Sequence, residues 1–475
     1  MTLEVNGVAP VGTSVDDDVE YVTGISDKIG PEVAALGLLP PFPPHAIPRG
    51  ARPSSVPGQY YPRLSTAERD RRWDAIRKRM LMAGVDALVL LGSDIYWDMG
   101  NANIRYVSGG IAAKMGSNLL FFLDQDPVLY NSVAHMSRPF HLQASLGGWV
   151  EDIRIGHGVP ELAAELKDRG LGRGHIGLVG FSSTIQTTPT FLHGDIEQLN
   201  ETLPDARITD FSYALQELRI VKSEEEIGFA RKAGVIARKT LDALVAGAHA
   251  GATEAEAYAD MVRAQIANGG EPNIFNLLAS GPADHPREEL WHLLHGLDQP
   301  ASPTTRPLAE GDVVVTEWHT KYGGYLVHTE YTLHVGPRPP AGLQRLFDVA
   351  LECYEASRVA FQPGNTLRDA VAAIRKPAAR AGIDWVELGF HAMGLASPEF
   401  PTIVLQPGYG TPTLSGDRIG DLRLEEGMVF GNNFDLFDPS WRADVGVMYG
   451  GCMVVRPGGA EILVDMPQEL GIGAV

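Results

Sequence analysis

Cysteine is nearly missing from this chain, whose 475 residues include only Cys353 and Cys452. A disulfide framework is excluded, and such usage is that of a reducing compartment. No stretch approaches the roughly 18 consecutive apolar residues that a membrane-spanning helix needs. The opening MTLEVNGVAPVGTSVDDDVE has neither the basic start nor the apolar run of a signal peptide, so a soluble, cytoplasmic protein is expected. Positive charge is also short: 39 Lys and Arg against 59 Asp and Glu leave a net charge of −20. A chain so acidic, with no basic cluster, repels phosphate backbones and anionic lipid, and neither nucleic acid nor membrane is an expected partner. Short tandem repeats are absent, and glycines such as Gly408, Gly410, Gly458 and Gly459 do not sit in the strand-to-helix setting of a nucleotide fingerprint.

What is present reads as two folded units behind an arm. Residues 1–63 carry Asp16, Asp17 and Asp18 and then a proline-rich run from Pro40 to Pro62, read as an extended arm. Ser65 with Glu68 forms a capping-box pattern ahead of Trp73, Ile76 and Met80 at helical spacing. Short apolar runs at 87–91, 119–123, 128–130 and 176–179, alternating with helical segments such as 161–167, predict a smaller α/β domain over 64–217 with a largely buried sheet. Ser223 with Glu226 then opens a long helix, and from 218 to 475 the pattern becomes α+β. Helices are predicted near 253–268, 341–361 and 366–381, and strands near 313–318, 325–335, 427–434 and 447–455.

Four segments carry a resemblance. Ile104-Arg105-Tyr106-Val107-Ser108-Gly109, Leu218 to Ile227, Gly311 to Val315 with Gly324-Tyr325 and Thr332, and Leu424 to Phe430 are similar, in this order, to the creatinase/prolidase family. The resemblance implies a pita-bread catalytic domain behind a creatinase-like N-terminal domain, and association as a homodimer. It also implies five metal-ligand positions, normally two aspartates, a histidine and two glutamates holding two divalent ions. Here these positions fall on Glu317, His328, His391, Asn433 and Gly450. One carboxylate and two imidazoles do not offset two dications, so a dinuclear site is not expected.

Two readings follow. In one, Glu317, His328 and His391 hold a single divalent ion, with Asn433 as a weak fourth donor, Glu317 and His328 opposite each other on a hairpin and His319 on the same face as Glu317. In the other no metal binds and the polar groups act on substrate directly. The creatinase branch of the family works this way with a glutamate two residues beyond the second aspartate position, which here is Glu330. His391 and Glu330 are the expected catalytic groups. His292 or His295, in a long loop that also holds His285, is expected to add a second histidine. Trp318, Glu399, Phe434 and Asn433 are expected to bind substrate, with Gly389 and Gly394 forming a turn that presents His391. The function these imply is hydrolysis of a C–N bond in a small non-peptide amide or amidine. A lyase or other mononuclear-metal enzyme is the alternative, and a non-catalytic binding protein is the rival from another class, to be favoured if the pocket is filled by apolar side chains.

Overall fold

A computed structural model describes residues 62–92, 99–109, 117–131, 148–155, 158–182, 190–272, 276–284, 303–403 and 417–475. All but the last two residues of the expected arm over 1–63, and His285, His292 and His295, lie outside the described residues.

The first unit contains α1 (Thr66–Ala83), β1 (Ala87–Leu91), α2 (Ala102–Ser108), β2 (Ser117–Phe122), β3 (Val128–Asn131), β4 (Asp152–Ile155), α3 (Val159–Asp168), β5 (His175–Val179), α4 (His193–Thr202), β6 (Arg207–Asp210) and α5 (Ser212–Ile220). Its six strands run in the order β4-β3-β2-β1-β5-β6. The sheet is mixed, since β2 runs antiparallel to β1 and β3 while β5 runs parallel to β1. The continuous apolar runs have a direct cause. Leu88, Leu90, Leu119 and Phe121 pack on one face with Trp73, Ile76 and Met80 of α1, while Ala87, Val89, Leu120 and Phe122 pack on the other with Leu162, Ala163 and Leu166 of α3. Both faces are covered, so the runs at the centre of the sheet are apolar at successive positions.

The second unit follows α5 after the short link Val221 to Ser223, and residue 218 lies inside that helix. It contains α6 (Glu224–Gly247), α7 (Glu254–Ala267), β7 (Asn276–Pro282), β8 (Asp312–Tyr322), β9 (Tyr325–Val335), α8 (Ala341–Ala360), α9 (Leu367–Ala381), β10 (Asp384–Ala392), β11 (Glu399–Ile403), β12 (Val429–Asp438), β13 (Arg442–Val454), β14 (Glu461–Ile462) and β15 (Gly471–Gly473). The strand path is β11-β10-β12-β13-β9-β8-β7, with β14 on β13 and β15 on β9. Helices α6 to α9 cover one face, where Phe347 of α8 meets Tyr331 and Tyr449, and Phe361 meets Phe390 and Phe430. The opposite face carries the polar side chains described below. No helix among the described residues is long and apolar enough to cross a membrane.

Two buried ionic junctions tie the units together. Ser65 caps α1 by accepting from the Glu68 N–H at 3.1 Å, as its spacing predicts, but Glu68 does not reach back to complete the box. The Ser65 N–H and hydroxyl instead donate to Glu225 of α6 at 2.7 and 2.5 Å. Glu68 turns to Arg72, which is fully buried and also contacts Glu226 at 3.1 Å, the Tyr325 hydroxyl at 2.8 Å and the Tyr106 carbonyl at 3.1 Å. Tyr325 in turn donates to Glu226 at 2.8 Å. It directly follows the Gly323-Gly324 turn, whose φ values of +59° and +84° suit glycine. The first unit thus grips the tip of the β8–β9 hairpin.

The second junction is Glu399 at the start of β11, which pairs with Arg219 of α5 and with Lys222 Nζ at 3.0 Å and accepts from the Ala396 N–H at 3.1 Å. Arg219 also donates to Asn103 of the first unit at 2.7 Å. Burial alone would raise the Glu399 carboxyl, but the charges of Arg219 and Lys222 outweigh it and bring it down to about 2.

Removing Arg72 by Arg72→Ala leaves the buried carboxylates of Glu68 and Glu226 with the half-exposed Arg71 as their remaining shared guanidinium, so denaturant unfolding should show a loss of about 3 kcal/mol. Glu399 gives a pH signature. A carboxyl lowered from 4.5 to about 2 on folding contributes stability that is present above about pH 4.5 and is lost as the pH falls through 2. Glu399→Gln should remove on the order of 3 kcal/mol at neutral pH and flatten this acid limb, as followed by thermal melts between pH 7 and 2.

Candidate functional site

Strand alternation sorts the candidates. On β8, Glu317 and His319 face away from the helices, while Trp318 between them is fully buried on the helix side. There its indole N–H donates to Gln265 at 2.6 Å and its ring meets Tyr258, 5.1 Å between centroids. Trp318 is a core residue, not a substrate wall. Phe434 is corrected for the same reason, being wholly buried in the core between Asn433 and Asp435 of β12. Glu399 is also withdrawn from substrate binding, because its carboxylate is taken by Arg219 and Lys222.

The remaining residues form one polar face: Glu317 and His319 of β8, His328 and Glu330 of β9, Glu387 and His391 of β10, and Asn433 and Asp435 of β12. The register differs from the sequence expectation. His328 lies opposite His319, and Glu317 lies opposite Glu330, so Glu317 and His328 are diagonal neighbours. Their closest approach, Glu317 Oε1 to His328 Nδ1, is 3.8 Å, and Glu317 Oε1 to His319 Nε2 is 3.9 Å. The donor atoms of Glu317, His319 and His328 all lie within 4.8 Å of one another, the arrangement of a metal-capable group. His319 therefore takes the place expected for His391 in the ligand set. His391 stands beside it, its ring perpendicular to that of His328 at 4.9 Å between centroids.

His391 is presented by a strand rather than by a glycine turn, opposite Gly431 of β12, with a register shift against β11 immediately after it. Gly394 has another task, since a Cβ there would lie 2.5 Å from the Glu399 carboxylate. Two further glycines make the site possible. A Cβ on Gly431 would lie 2.7 Å from His328 Nε2, and one on Gly450 would lie 1.8 Å from the Asn432 carbonyl and 3.0 Å from Glu330 Oε2. The glutamate missing at position 450 is thus matched in space by Glu330, which reaches in from β9.

Glu330 is more enclosed than expected. It is fully buried and accepts from Asn433 Nδ2 at 2.7 Å and from the Phe434 N–H at 3.1 Å. Asn433 is a partner of Glu330 through its Nδ2, while its Oδ1, the atom expected as a fourth donor, is buried without a hydrogen-bond partner among the described residues. Toward the more open side, the Glu317 side chain is 14% exposed and Glu387 is half-buried.

Charge on this face is crowded and of one sign. Burial, then the neighbouring Glu387, pushes the Glu317 carboxyl up to about 8. Burial followed by repulsion from the other carboxylates raises Glu330 and Asp435 well above the ordinary range. Burial lowers His328 well below its usual value, with His391 and His319 adding to the effect, and burial lowers His391 to about 4. Among the described residues, no lysine or arginine offsets Glu317, Glu330 or Asp435. Sequence reasoning missed Glu387 and Asp435. Period-two counting would have found both, four residues before His391 and two beyond Asn433.

Two family profiles match in chain order, "Creatinase/Prolidase N-terminal domain" over residues 72–221 and "Metallopeptidase family M24" over 229–462. A probable dipeptidase PepE of Mycobacterium tuberculosis is 31% identical over 238 residues, 46% of this chain and 60% of the relative, so the match spans less than two thirds of that protein. An ectoine hydrolase of Halomonas elongata is 26% identical over 310 residues, 64% of this chain and 71% of the relative. The crystal structure of an X-Pro aminopeptidase from Thermotoga maritima shares the fold with a TM-score of 0.66 at 18% identity, covering 84% of this chain and 99% of that one. The two-unit pita-bread architecture and both matched profiles place the chain plainly: it belongs to the creatinase/prolidase family.

Proposed function

We propose that this chain is a hydrolase that cleaves a C–N bond in a small non-peptide amide or amidine. The observation that carries the reading is the acidic lining of the pocket, with Glu317, Glu330, Glu387 and Asp435 on one face and no lysine or arginine offsetting Glu317, Glu330 or Asp435 among the described residues. Carboxyls kept protonated by burial and mutual repulsion can ionise when a cation enters among them, so such a lining favours a substrate that carries positive charge, as an amidine does, over the free carboxylate of a dipeptide. Glu387, at the less buried end, holds the cationic part of the substrate. His391 supplies an imidazole for proton transfer. Glu330 acts through Asn433 and the Phe434 N–H, fixing the amide of Asn433 rather than touching substrate. The polar lining supports a catalytic role over a purely binding one.

The family is one of metallopeptidases, and Glu317, His319 and His328 fit one divalent ion. Such an ion would polarise a carbonyl or a water at the pocket. The residues at the ligand positions inferred from the resemblance, now including Asn433 and Gly450, do not supply the carboxylates for two ions in the usual way. Association as a homodimer is part of the proposal, with light scattering expected to give twice the chain mass.

The PepE relationship supports a second reading, a dipeptidase. A panel of linear amides, cyclic and linear amidines, Xaa-Pro dipeptides and other dipeptides, assayed for release of ammonia or amine, separates the two. The non-peptide substrates should be turned over at least tenfold faster than any dipeptide, whereas the reverse order would establish the dipeptidase reading. With the preferred substrate, His391→Ala should lower turnover by about 10²–10⁴-fold, the usual scale of lost proton transfer. Normal turnover in that variant would remove His391 from the chemistry.

A further inference from the structure

We propose that a single divalent ion of the borderline transition-metal type is held by Glu317, His319 and His328, and that His391 is not one of its ligands. The proposal deepens the reading of the same pocket and rests on its placement. The ligand-capable group is compact: its oxygen and two ring nitrogens lie within 4.8 Å of one another, with 3.8 and 3.9 Å from Glu317 Oε1 to the two imidazoles. Ligands of a tetrahedral ion bound at about 2.1 Å stand about 3.4 Å apart, so the two contacts to Glu317 close by a few tenths of an ångström and the pair of imidazoles, within 4.8 Å, by about an ångström.

A second observation points to a ligand independently of the clustering. His328 is fully buried, its Nε2 lies 3.0 Å from the Asn432 carbonyl, and its Nδ1 has no hydrogen-bond partner among the described residues. A ring nitrogen donating to a backbone carbonyl leaves the other nitrogen as a lone pair, and here that lone pair stands beside Glu317. A metal-ligating histidine is commonly held in this way, its other ring nitrogen donating to a backbone carbonyl. His319 Nε2 meets the Ser397 hydroxyl at 2.8 Å, and that hydroxyl already has Met393 Sδ at 3.1 Å as an alternative partner when the ring binds an ion.

Two nitrogens and one carboxylate suit Zn²⁺ or Co²⁺ better than Mg²⁺ or Ca²⁺, which take oxygen. His391 comes from β10, three strands from β9 along the sheet path, and meets His328 ring to ring outside the compact Glu317, His319 and His328 group, beside the ion rather than on it. Glu330 accepts from Asn433 Nδ2 and the Phe434 N–H and lies outside the compact Glu317, His319 and His328 group, so it is not placed among the ligands of this ion.

The test uses the full chain, stripped with a chelator and titrated with Zn²⁺. Bound metal is counted by elemental analysis, and Co²⁺ loading is followed by its visible absorption. One equivalent should bind. His319→Gln and His328→Gln should each weaken Zn²⁺ binding by about 100-fold or more and abolish the Co²⁺ bands. His391→Gln should bind Zn²⁺ within about threefold of the parent, on the scale of a neighbour rather than a ligand. Circular dichroism and Glu317→Asp, which keeps the carboxylate, guard against misfolding as the cause of a loss. Two equivalents, no binding, or a loss in His391→Gln as large as in His319→Gln would each overturn the proposal. These readouts contain no substrate, so one equivalent bound by a chain that hydrolyses no amide or amidine supports this inference and counts against the functional reading alone.

Discussion

Four carboxylates share one face of the second sheet with three imidazoles, and the described residues provide no offsetting cation for Glu317, Glu330 or Asp435. An isolated carboxylate carried into a protein interior costs several kcal/mol unless it is paired or takes up a proton. Such a face is stable only if protons, a metal ion or a cationic ligand reduce its charge. Much of the local structure follows. Asn433 and the Phe434 N–H are aimed at Glu330, the glycines at 431 and 450 leave volume for His328 and Glu330, and an apolar layer of helices covers the other side of the sheet.

Holding such a face requires a sheet that does not flex, and the junction between the units contributes to that. The β8–β9 hairpin carries Glu317, His319, His328 and Glu330, and its tip is clasped by Arg72 and Glu226 through Tyr325. At the other end of the site, Glu399 follows His391 by eight residues and is held by Arg219 and Lys222. Both ends of the polar face are thus fixed by buried charge pairs reaching across to α1 or α5. These pairs involve residues whose charge is fully used, which is why Glu399 looks like a site residue in the sequence and is a structural one in the fold.

The architecture was legible because its signals are local. Apolar runs covered on both sides mark the first sheet, the capping residues Ser223 and Glu226 mark the start of α6, and the 3.6-residue repeat from Leu343 to Tyr354 marks α8. The site was legible only in part. His328, Glu330 and His391 could be placed from the resemblance, but pairing Glu317 with His328 across the hairpin was an error of register. The two-residue Gly323-Gly324 turn sets Tyr322 opposite Tyr325, and with that register His319 must face His328. Trp318 and Phe434 were misplaced because an aromatic residue next to a polar one in a strand lies on the opposite face, whatever its proximity in sequence.

Counting ligands position by position misjudges the charge of this pocket. The five positions inferred from the resemblance hold one carboxylate, Glu317, and suggest a site that has lost its acidity. The face as folded holds four, because Glu330 extends toward the space beside Gly450 while Glu387 and Asp435 come from adjacent alternate positions on neighbouring strands. A two-residue step along a strand moves a side chain by about 7 Å and keeps it on the same face. A substitution at one position can therefore be offset two residues away on the same strand, or directly across on the next. The acidity of the face is maintained while the donors nearest the β8–β9 hairpin change from carboxylate to imidazole. That combination, acidic overall with nitrogen donors gathered at one corner, differs chemically from a set of five ligands shared by two ions, and it is the property from which the substrate and metal preferences of this chain are inferred.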